Sequence, residues 1–333
     1  MDDNKSRNVC SISEIDDFLQ IRYVKLHFSL EILENGNLPR YKASALRGGM
    51  GHMLLQMYCP FDEQCNHCPF TKECTVRRIM YPEMEMIPSF MSQAGEKNRN
   101  DNEGYIIECE DYDTVFAEGD LLKFNLLLLG KTTVYFSHFL RAYCYLGSFG
   151  LGKDCVPFRV YHVTNTNGEL LYDGNSDTLY KDRYQIRTVA DYVDYRISQS
   201  DTAGSNKIVF HSPLSLKYKG QWENHFDPMA LMSAAERRII ILNCFEGTPK
   251  AAENCRISIN DHIPVFEDEY VRRETVPRYS GTQKSKTVLT GIRGSCRISC
   301  IDRAALRMLI AGELLHIGKN TTFGFGRYTL ITE

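Results

Sequence analysis

Between residues 21 and 33 (IRYVKLHFSLEIL) apolar and polar side chains alternate. Val24, Leu26, Phe28 and Leu30 fall on one face and Tyr23, Lys25 and His27 on the other, which predicts a half-buried strand. The turn ENGNLPR follows, and from about Ser44 the period becomes helical, with Leu46, Met50, Met53, Leu54 and Met57 on one face. A long irregular stretch then runs from Cys59 to about Gly104, and its last part, SQAGEKNRNDNEG (92–104), has too little apolar content to pack and reads as a loop. Strands are expected at 105–109, 121–129 and 157–165, with a nearly all-apolar helix at about 133–147 between the last two. A second pass begins near 166. Strands are expected at 166–173, 183–187 and 207–218, a helix at about 227–244, and strands at 255–260 and 285–300. A helix at 302–315 follows, with Asp302 as its N-cap, then a glycine loop and a final strand, GRYTLIT. Each half repeats strands, helix, strands, helix. The pattern predicts an α+β chain of two tandem domains, 20–165 and 166–333, built from split βαβ units.

Composition narrows the partners. The chain has 333 residues, 43% of them hydrophobic, enough for two ordinary cores. The net charge of −3 gives no global basic signature, so a nucleic acid would have to meet a local patch. Such a patch exists between Arg272 and Arg297, where seven basic residues (Arg272, Arg273, Arg278, Lys284, Lys286, Arg293 and Arg297) accompany one acid, Glu274. Lys217, Lys219, Arg237 and Arg238 extend it to a candidate phosphate-tracking groove. No apolar run approaches the roughly 20 residues of a membrane span. The polar, acidic start MDDNKSRNVCSISEIDDFLQ is unlike a secretory signal, and the expected location is the cytoplasm.

Four of the twelve cysteines are clustered. CPFDEQCNHCPFTKEC sets Cys59, Cys65, Cys68 and Cys74 within 16 residues, at a spacing that lets four thiolates close on one tetrahedral centre. Structural zinc is the expected occupant and a [4Fe–4S] cluster the alternative, since compact four-cysteine runs with adjacent proline also hold those clusters. His67 is a substitute ligand.

Two further segments carry candidate chemistry. In YKASALRGGMGHMLLQMYC (41–59) the glycines Gly48, Gly49 and Gly51 each cost a helix about 1 kcal/mol relative to alanine, which suggests close packing on bare backbone. His52 lies on that side, with Tyr41, Lys42 and Arg47 near it in the chain. It is either a polar rim residue or a titratable group facing substrate. In HIGKNTTFGFGRY (316–328), Gly318, Gly324 and Gly326 free the backbone, Lys319 and Arg327 add charge, and Phe323, Phe325 and Tyr328 add flat surfaces. Such a loop is either a plain turn or a surface for a phosphate backbone with splayed bases.

Five segments together resemble the CRISPR-associated endoribonucleases that process repeat RNA, members of the RAMP superfamily. They are YKASALRGGMGHML (41–54), the cysteine run, HFLRAYCYLGSFGLGKDCVPFRVYHV (138–163), VFHSPLSLKYKG (209–220) with ERRIIIL (236–242), and SGTQKSKTVLTGIRG (280–294) leading into HIGKNTTFGFGRY. The resemblance implies two ferredoxin-like domains, the first with a cysteine-rich insertion at 58–104, binding CRISPR repeat RNA. It implies a metal-independent cut in which the 2′-OH attacks the adjacent phosphate, leaving a 2′,3′-cyclic phosphate and a 5′-OH. It points to His52 as base or acid, with Tyr41 as the second candidate and Lys42 and Arg47 holding the scissile phosphate. His27 and His316 are further catalytic candidates, whereas His138 and His211 read as structural. Expected RNA contacts are Lys319, Arg327, Gly318, Gly324, Gly326, Phe323, Arg237, Arg238, Lys284, Lys286 and Arg293. Partners implied are precursor guide RNA and an effector complex or a reverse-transcriptase–integrase adaptation module. The competing reading is a RAMP subunit that binds guide RNA without cutting it.

Overall fold

A computed structural model describes residues 12–61, 65, 67–85, 104–199, 206–247, 264–280 and 285–332. The first half begins with helix α1 (Ile12–Phe18), strand β1 (Arg22–Ile32) and the short strand β2 (Gly36–Asn37). Helices α2 (Ala43–Tyr58) and α3 (Thr75–Met80) lead to strands β3 (Tyr105–Glu108), β4 (Val115–Phe116) and β5 (Leu121–Leu129). A 3-10 turn, Gly130–Tyr135, opens helix α4 (Phe136–Phe149) and shortens the helix expected from 133. Strands β6 (Phe158–Asn165), β7 (Leu170–Asp173), β8 (Thr178–Leu179) and β9 (Arg187–Thr188) complete this half.

Its sheet runs β3-β5-β1-β6-β7-β8, with β9 paired to β1. The first four strands of this order, taken in chain order as 2-3-1-4 and threaded by α2 and α4, form a ferredoxin-like unit. Strand β1 is buried as its alternation dictates. Leu26, Phe28 and Leu30 join α2 and α4 in one core, while Tyr23, Lys25 and His27 face the other half of the molecule. The domain boundary expected at 165 lies further on. Residues of 170–179 hydrogen-bond to β6 and to each other, and Arg187–Thr188 pair with Tyr23 and Arg22, so the first sheet extends to residue 188.

Helix α5 (Val189–Ser198), capped by Thr188 in a reciprocal pair with Asp191, leads into the second half. That half comprises β10 (Asn206–Phe210), the hairpin β11 (Lys217–Tyr218) and β12 (Gln221–Trp222), and helix α6 (Pro228–Glu246). A long hairpin of β13 (Val265–Ser280) and β14 (Ser285–Ser299), helix α7 (Arg303–Leu315) and β15 (Tyr328–Thr332) follow. The sheet order β13-β14-β10-β15 repeats the 2-3-1-4 arrangement, so both halves are ferredoxin-like. Asp302 caps α7 as expected, accepting from the Ala305 amide at 2.6 Å. Strand β13 escapes the sequence reading because FEDEYVRRETVPRYS carries few core-facing side chains; its register against β14 forms the strand. The strand expected at 255–260 and most of the loop at 92–104 lie outside the described residues.

The halves share a core. Ile106, Leu127 and Leu129 on the open face of the first sheet join Leu231, Ile239, Leu309 and Leu315 of the second domain. The glycine loop locks this contact. Gly324 (φ 78°) lies so close to β3 that a Cβ would sit 2.7 Å from the Ile107 carbonyl oxygen, and at Gly326 (φ 71°) it would sit 1.8 Å from that of Ile317. Only glycine tolerates both positions.

Candidate active site

The seam between the halves holds a cavity of about 290 Å3 lined by Arg40, Tyr41, Tyr112, Arg272, Arg273, Glu274 and Arg293. Arg40 and Tyr41 stand in the turn before α2, and Tyr112 between β3 and β4. The other four stand on the β13–β14 hairpin, where Arg272 faces Arg293 across the ladder. The Tyr41 phenol donates to Glu274 Oε1 at 3.0 Å. Arg272 and Arg293 approach Glu274 Oε2 at 3.7 and 3.6 Å. Tyr112 packs edge-on against Tyr41, with the Arg40 and Arg293 guanidinium groups 5.5 and 6.0 Å from its ring centre. Burial, reinforced by the Glu274 carboxylate, pushes the Tyr41 phenol above its ordinary value. Burial also raises Tyr112, against the opposing pull of Arg293. Both phenols are therefore protonated near neutrality.

A second contact joins three elements beside this cavity. The Phe323 ring of the glycine loop lies 4.8 Å from the Arg47 guanidinium of α2 and 4.5 Å from that of Arg278 on β13. A cation from the helix and one from the hairpin thus meet on a ring of the loop.

Of the sequence-predicted residues, Tyr41 and Arg293 line the cavity, and Arg47 and Phe323 pack next to it. Several others are corrected. Lys42 is fully buried and donates to the Asp111 and Asp113 carbonyls at 2.9 and 2.6 Å, and to the Asp111 carboxylate at 3.2 Å, so its charge is taken up inside the fold. His52 is exposed on α2, 3.1 Å from the Gln56 amide nitrogen, and is not among the residues lining the cavity. Nine residues of rise place it about 14 Å along the helix from Ala43. The three helix glycines also differ among themselves. Gly49 lies against Leu146 and Gly51 against Met80, as close packing requires, while a Cβ on Gly48 would meet open space.

The glycine loop is more enclosed than a phosphate cradle. The Gly326 amide donates to Pro213 O at 2.9 Å, the Gly324 amide to Thr321 O at 2.8 Å and the Lys319 amide to Ser215 O at 2.8 Å. Phe325 and Tyr328 are buried. Gly324 and Gly326 therefore shape the chain rather than offer bare amides, and at Gly318 (φ 85°) a Cβ would sit 2.6 Å from the Ser215 carbonyl oxygen. Arg327 pairs with Glu110 at 2.5 Å, and Arg238 is buried with its Nε donating to Leu315 O at 3.1 Å. Arg237 is half-buried on α6. Lys284 lies outside the described residues, and Lys286 is placed only by its backbone, opposite Tyr279.

His27 and His316 belong to one polar network under the seam. Glu108 accepts from Lys25 Nζ at 2.8 Å and Asn125 Nδ2 at 2.9 Å, and it faces His316 Nε2 at 3.0 Å. His27 Nδ1 faces the Asn125 Oδ1 at 2.7 Å. Burial opposes the Glu108 charge, but Lys25, His316 and Arg327 overcome it and hold the carboxyl well below its usual range. Burial holds the His316 imidazole below its ordinary value, against the pull of Glu108. His316 is wholly enclosed.

The four clustered cysteines connect two helix ends. Cys59 is the C-cap of α2 and Cys74 the N-cap of α3, with Phe61 and Phe70 packed edge-on between them. Burial pushes the Cys65 thiol up, and the neighbouring Cys59, Cys74 and Cys68 add to the effect, so the four sulfurs share one region. Among the described residues no three ligating side chains stand at ligand geometry.

Arg40, Tyr112 and Glu274 were missed as site residues. Glu274 did leave a signal, as the one acid in the basic run, and Arg40 adjoins Tyr41. Tyr112 left none.

Two ferredoxin-like domains in tandem, joined through a glycine loop, make up the fold. A family model described as an N-terminal domain matches residues 19–188, and that of CRISPR-associated endoribonuclease Cas6 matches residues 208–328. Residues 208–328 are therefore a domain of the CRISPR-associated endoribonuclease Cas6 family. Among solved structures it is similar to a partial Cas6-RT-Cas1–Cas2 complex, at TM-score 0.57 and 12% identity over 94% of this chain and 46% of that one. A Cas6-RT-Cas1–Cas2 complex matches at the same TM-score and identity, with 29% of its chain covered. The chain thus spans less than half the length of these relatives. A Thermus thermophilus Cas6 product complex matches at TM-score 0.53 and 13% identity, over 92% of this chain and 99% of that one. At such identity these likenesses establish the fold. No curated protein sequence matches the chain. Among the described residues no helix is long and apolar enough to cross a membrane.

Proposed function

We propose that the chain is an endoribonuclease that cuts CRISPR precursor RNA within its repeats by 2′-OH attack, at the arginine-lined seam. The observation that carries this reading is the Tyr41–Glu274 hydrogen bond inside a cavity bearing Arg40, Arg272, Arg273 and Arg293. The Glu274 carboxylate takes the 2′-OH proton as the new P–O2′ bond forms. The Tyr41 phenol, protonated near neutrality, gives its proton to the 5′-oxygen as the P–O5′ bond breaks. The products are a 2′,3′-cyclic phosphate and a 5′-OH, and the proton on Glu274 returns to Tyr41 across their 3.0 Å contact. The four guanidinium groups stabilise the extra charge of the phosphorane. No step calls on a metal.

The test is cleavage of labelled repeat RNA from the same locus in EDTA. Wild type is expected to give one cut, blocked by a 2′-deoxy nucleotide at the scissile position. Tyr41→Phe and Glu274→Gln are each expected to slow the cut by about 10²–10⁴-fold while RNA binding persists. Loss of cleavage in His52→Ala with Tyr41→Phe active would move the chemistry to the exposed face of α2. Binding without any cut would make the chain a guide-RNA-binding subunit.

The cysteine cluster is proposed as a structural Zn2+ site, with a [4Fe–4S] cluster as the alternative occupant. Four soft sulfur donors anchored at the ends of α2 and α3 suit either group, which would tie those helix ends together. Metal analysis is expected to find one zinc per chain, without visible absorbance. Stripping it, or substituting Cys68→Ser, should lower the melting temperature by several degrees. A brown protein containing iron would establish the alternative. A partner of the reverse-transcriptase–integrase kind is proposed from the likeness to Cas6-RT-Cas1–Cas2 chains.

A further inference from the structure

The hairpin β11–β12 is outside the cavity, yet it is built for exposure. Lys217 pairs with Trp222 and Tyr218 with Gln221, leaving a two-residue apex. Both apex residues are left-handed, Lys219 at φ 45° and Gly220 at φ 84°, as a type I′ turn requires. The first apex position favours Asn, Asp or Gly, and a lysine there adopts a conformation it disfavours. Strain of this kind persists where the position serves a purpose.

The stem is fixed firmly. Leu214 bridges Ile292, next to Arg293 of the cavity, and Ser215 bridges Lys319 of the glycine loop. The Glu223 amide donates to Leu216 O at 3.0 Å, and Tyr218 packs against the second core. The outer part is open. Trp222, the one tryptophan of the chain, is 56% exposed. The Lys319 ammonium lies 5.8 Å from the Trp222 ring centre and the Lys219 ammonium 5.1 Å from that of Tyr218. Lys217 and Lys219 are exposed, and the acid next in sequence is Glu223, half-buried. A flat apolar ring is therefore exposed beside the Lys319 ammonium, on a hairpin that carries two further exposed lysines, in a chain whose net charge is negative.

We propose that Trp222 is a second RNA subsite, a platform on which one unpaired nucleobase of the repeat stacks while Lys217, Lys219 and Lys319 hold the flanking phosphates. This rests on the RNA-processing reading above. An indole face accepts any base, and lysines meet phosphates as point charges, so the site grips single-stranded RNA with little sequence preference. The three residues from Leu214 to Lys217 and one strand spacing set Trp222 within about 15 Å of the Leu214–Ile292 bridge. A strand leaving the cavity can reach it.

The single tryptophan reports on its own occupancy. The full chain would be titrated with repeat RNA carrying a 2′-deoxy nucleotide at the scissile position, following tryptophan emission and, in parallel, anisotropy of end-labelled RNA. Emission is expected to fall and to saturate with the anisotropy change, and an abasic substitution at one nucleotide should remove the quench. Trp222→Ala should weaken binding on the order of tenfold, while Trp222→Phe, which keeps a ring, should retain most of it. Lys219→Ala should reduce the salt dependence of binding by about one phosphate contact. Full RNA binding with unchanged emission, and a Trp222→Ala affinity equal to wild type, would overturn the subsite and leave the RNA-processing reading standing. No RNA binding by anisotropy would overturn both. Circular dichroism of each variant separates lost contact from lost fold.

Discussion

Glu108 shows how one side chain binds two domains. Its carboxylate, on β3 of the first domain, meets Lys25 from β1 and His316 from the end of α7, and it is enclosed. Glu108→Gln leaves Lys25 without its counter-charge in a buried setting, and should destabilise the chain by about 3–5 kcal/mol in urea unfolding. The pH dependence follows from the same contacts. His316 titrates below its ordinary value in the fold, so as pH drops below about 6.5 the unfolded chain takes up the proton first and stability declines. Glu108 is held low, so its contribution is complete above the ordinary carboxylate range near 4 and is lost as pH falls toward the depressed folded value. Both act in one direction. Melting temperature should fall in two stages on acidification, and Glu108→Gln should remove the lower one. None of this was legible in the chain, because Lys25, Glu108 and His316 are separated by 83 and 208 residues and only the packing of the halves joins them. Tyr41, a candidate beside the glycine-rich helix in the sequence, lines the cavity. Lys42, equally charged on paper, was misread because burial against Asp111 and Asp113 is a tertiary fact.

At the scale of elements, glycine has two uses that the sequence does not separate. Gly326→Ala would place a Cβ 1.8 Å from the Ile317 carbonyl oxygen in a left-handed residue, and should cost 3 kcal/mol or more, on the order of the strain plus the displaced backbone. Gly48→Ala meets nothing and should stabilise α2 by about 1 kcal/mol. The pair is checked by thermal and urea denaturation; equal losses at both positions would mean that Gly48 is packed. The alternation of β1 and the helical period of α7 were legible, and β5 and α6 showed as nearly continuous apolar runs because β5 is buried on both faces, between two cores, and α6 is buried nearly all round. Periodicity missed β13, whose outer stretch carries Arg272 and Arg273 of the cavity and few core-facing side chains. It also assigned β7 and β9 to the second half, since a strand pattern says nothing about which sheet will pair with it.

At the scale of the whole molecule, the cavity belongs to neither domain. Arg40, Tyr41 and Tyr112 come from the first and Arg272, Arg273, Glu274 and Arg293 from the second, and the glycine loop sets their spacing by pressing Gly324 on β3. The tandem α+β architecture was readable from repeated pattern. The meeting of Tyr41 with Glu274, 233 residues apart, was not. One consequence concerns heredity. A gene fragment encoding either half would specify a sheet and a pair of helices, but only part of the shared core and no cavity. The two halves are bound to descend together, because a change on either bank of the seam alters a site that both banks build.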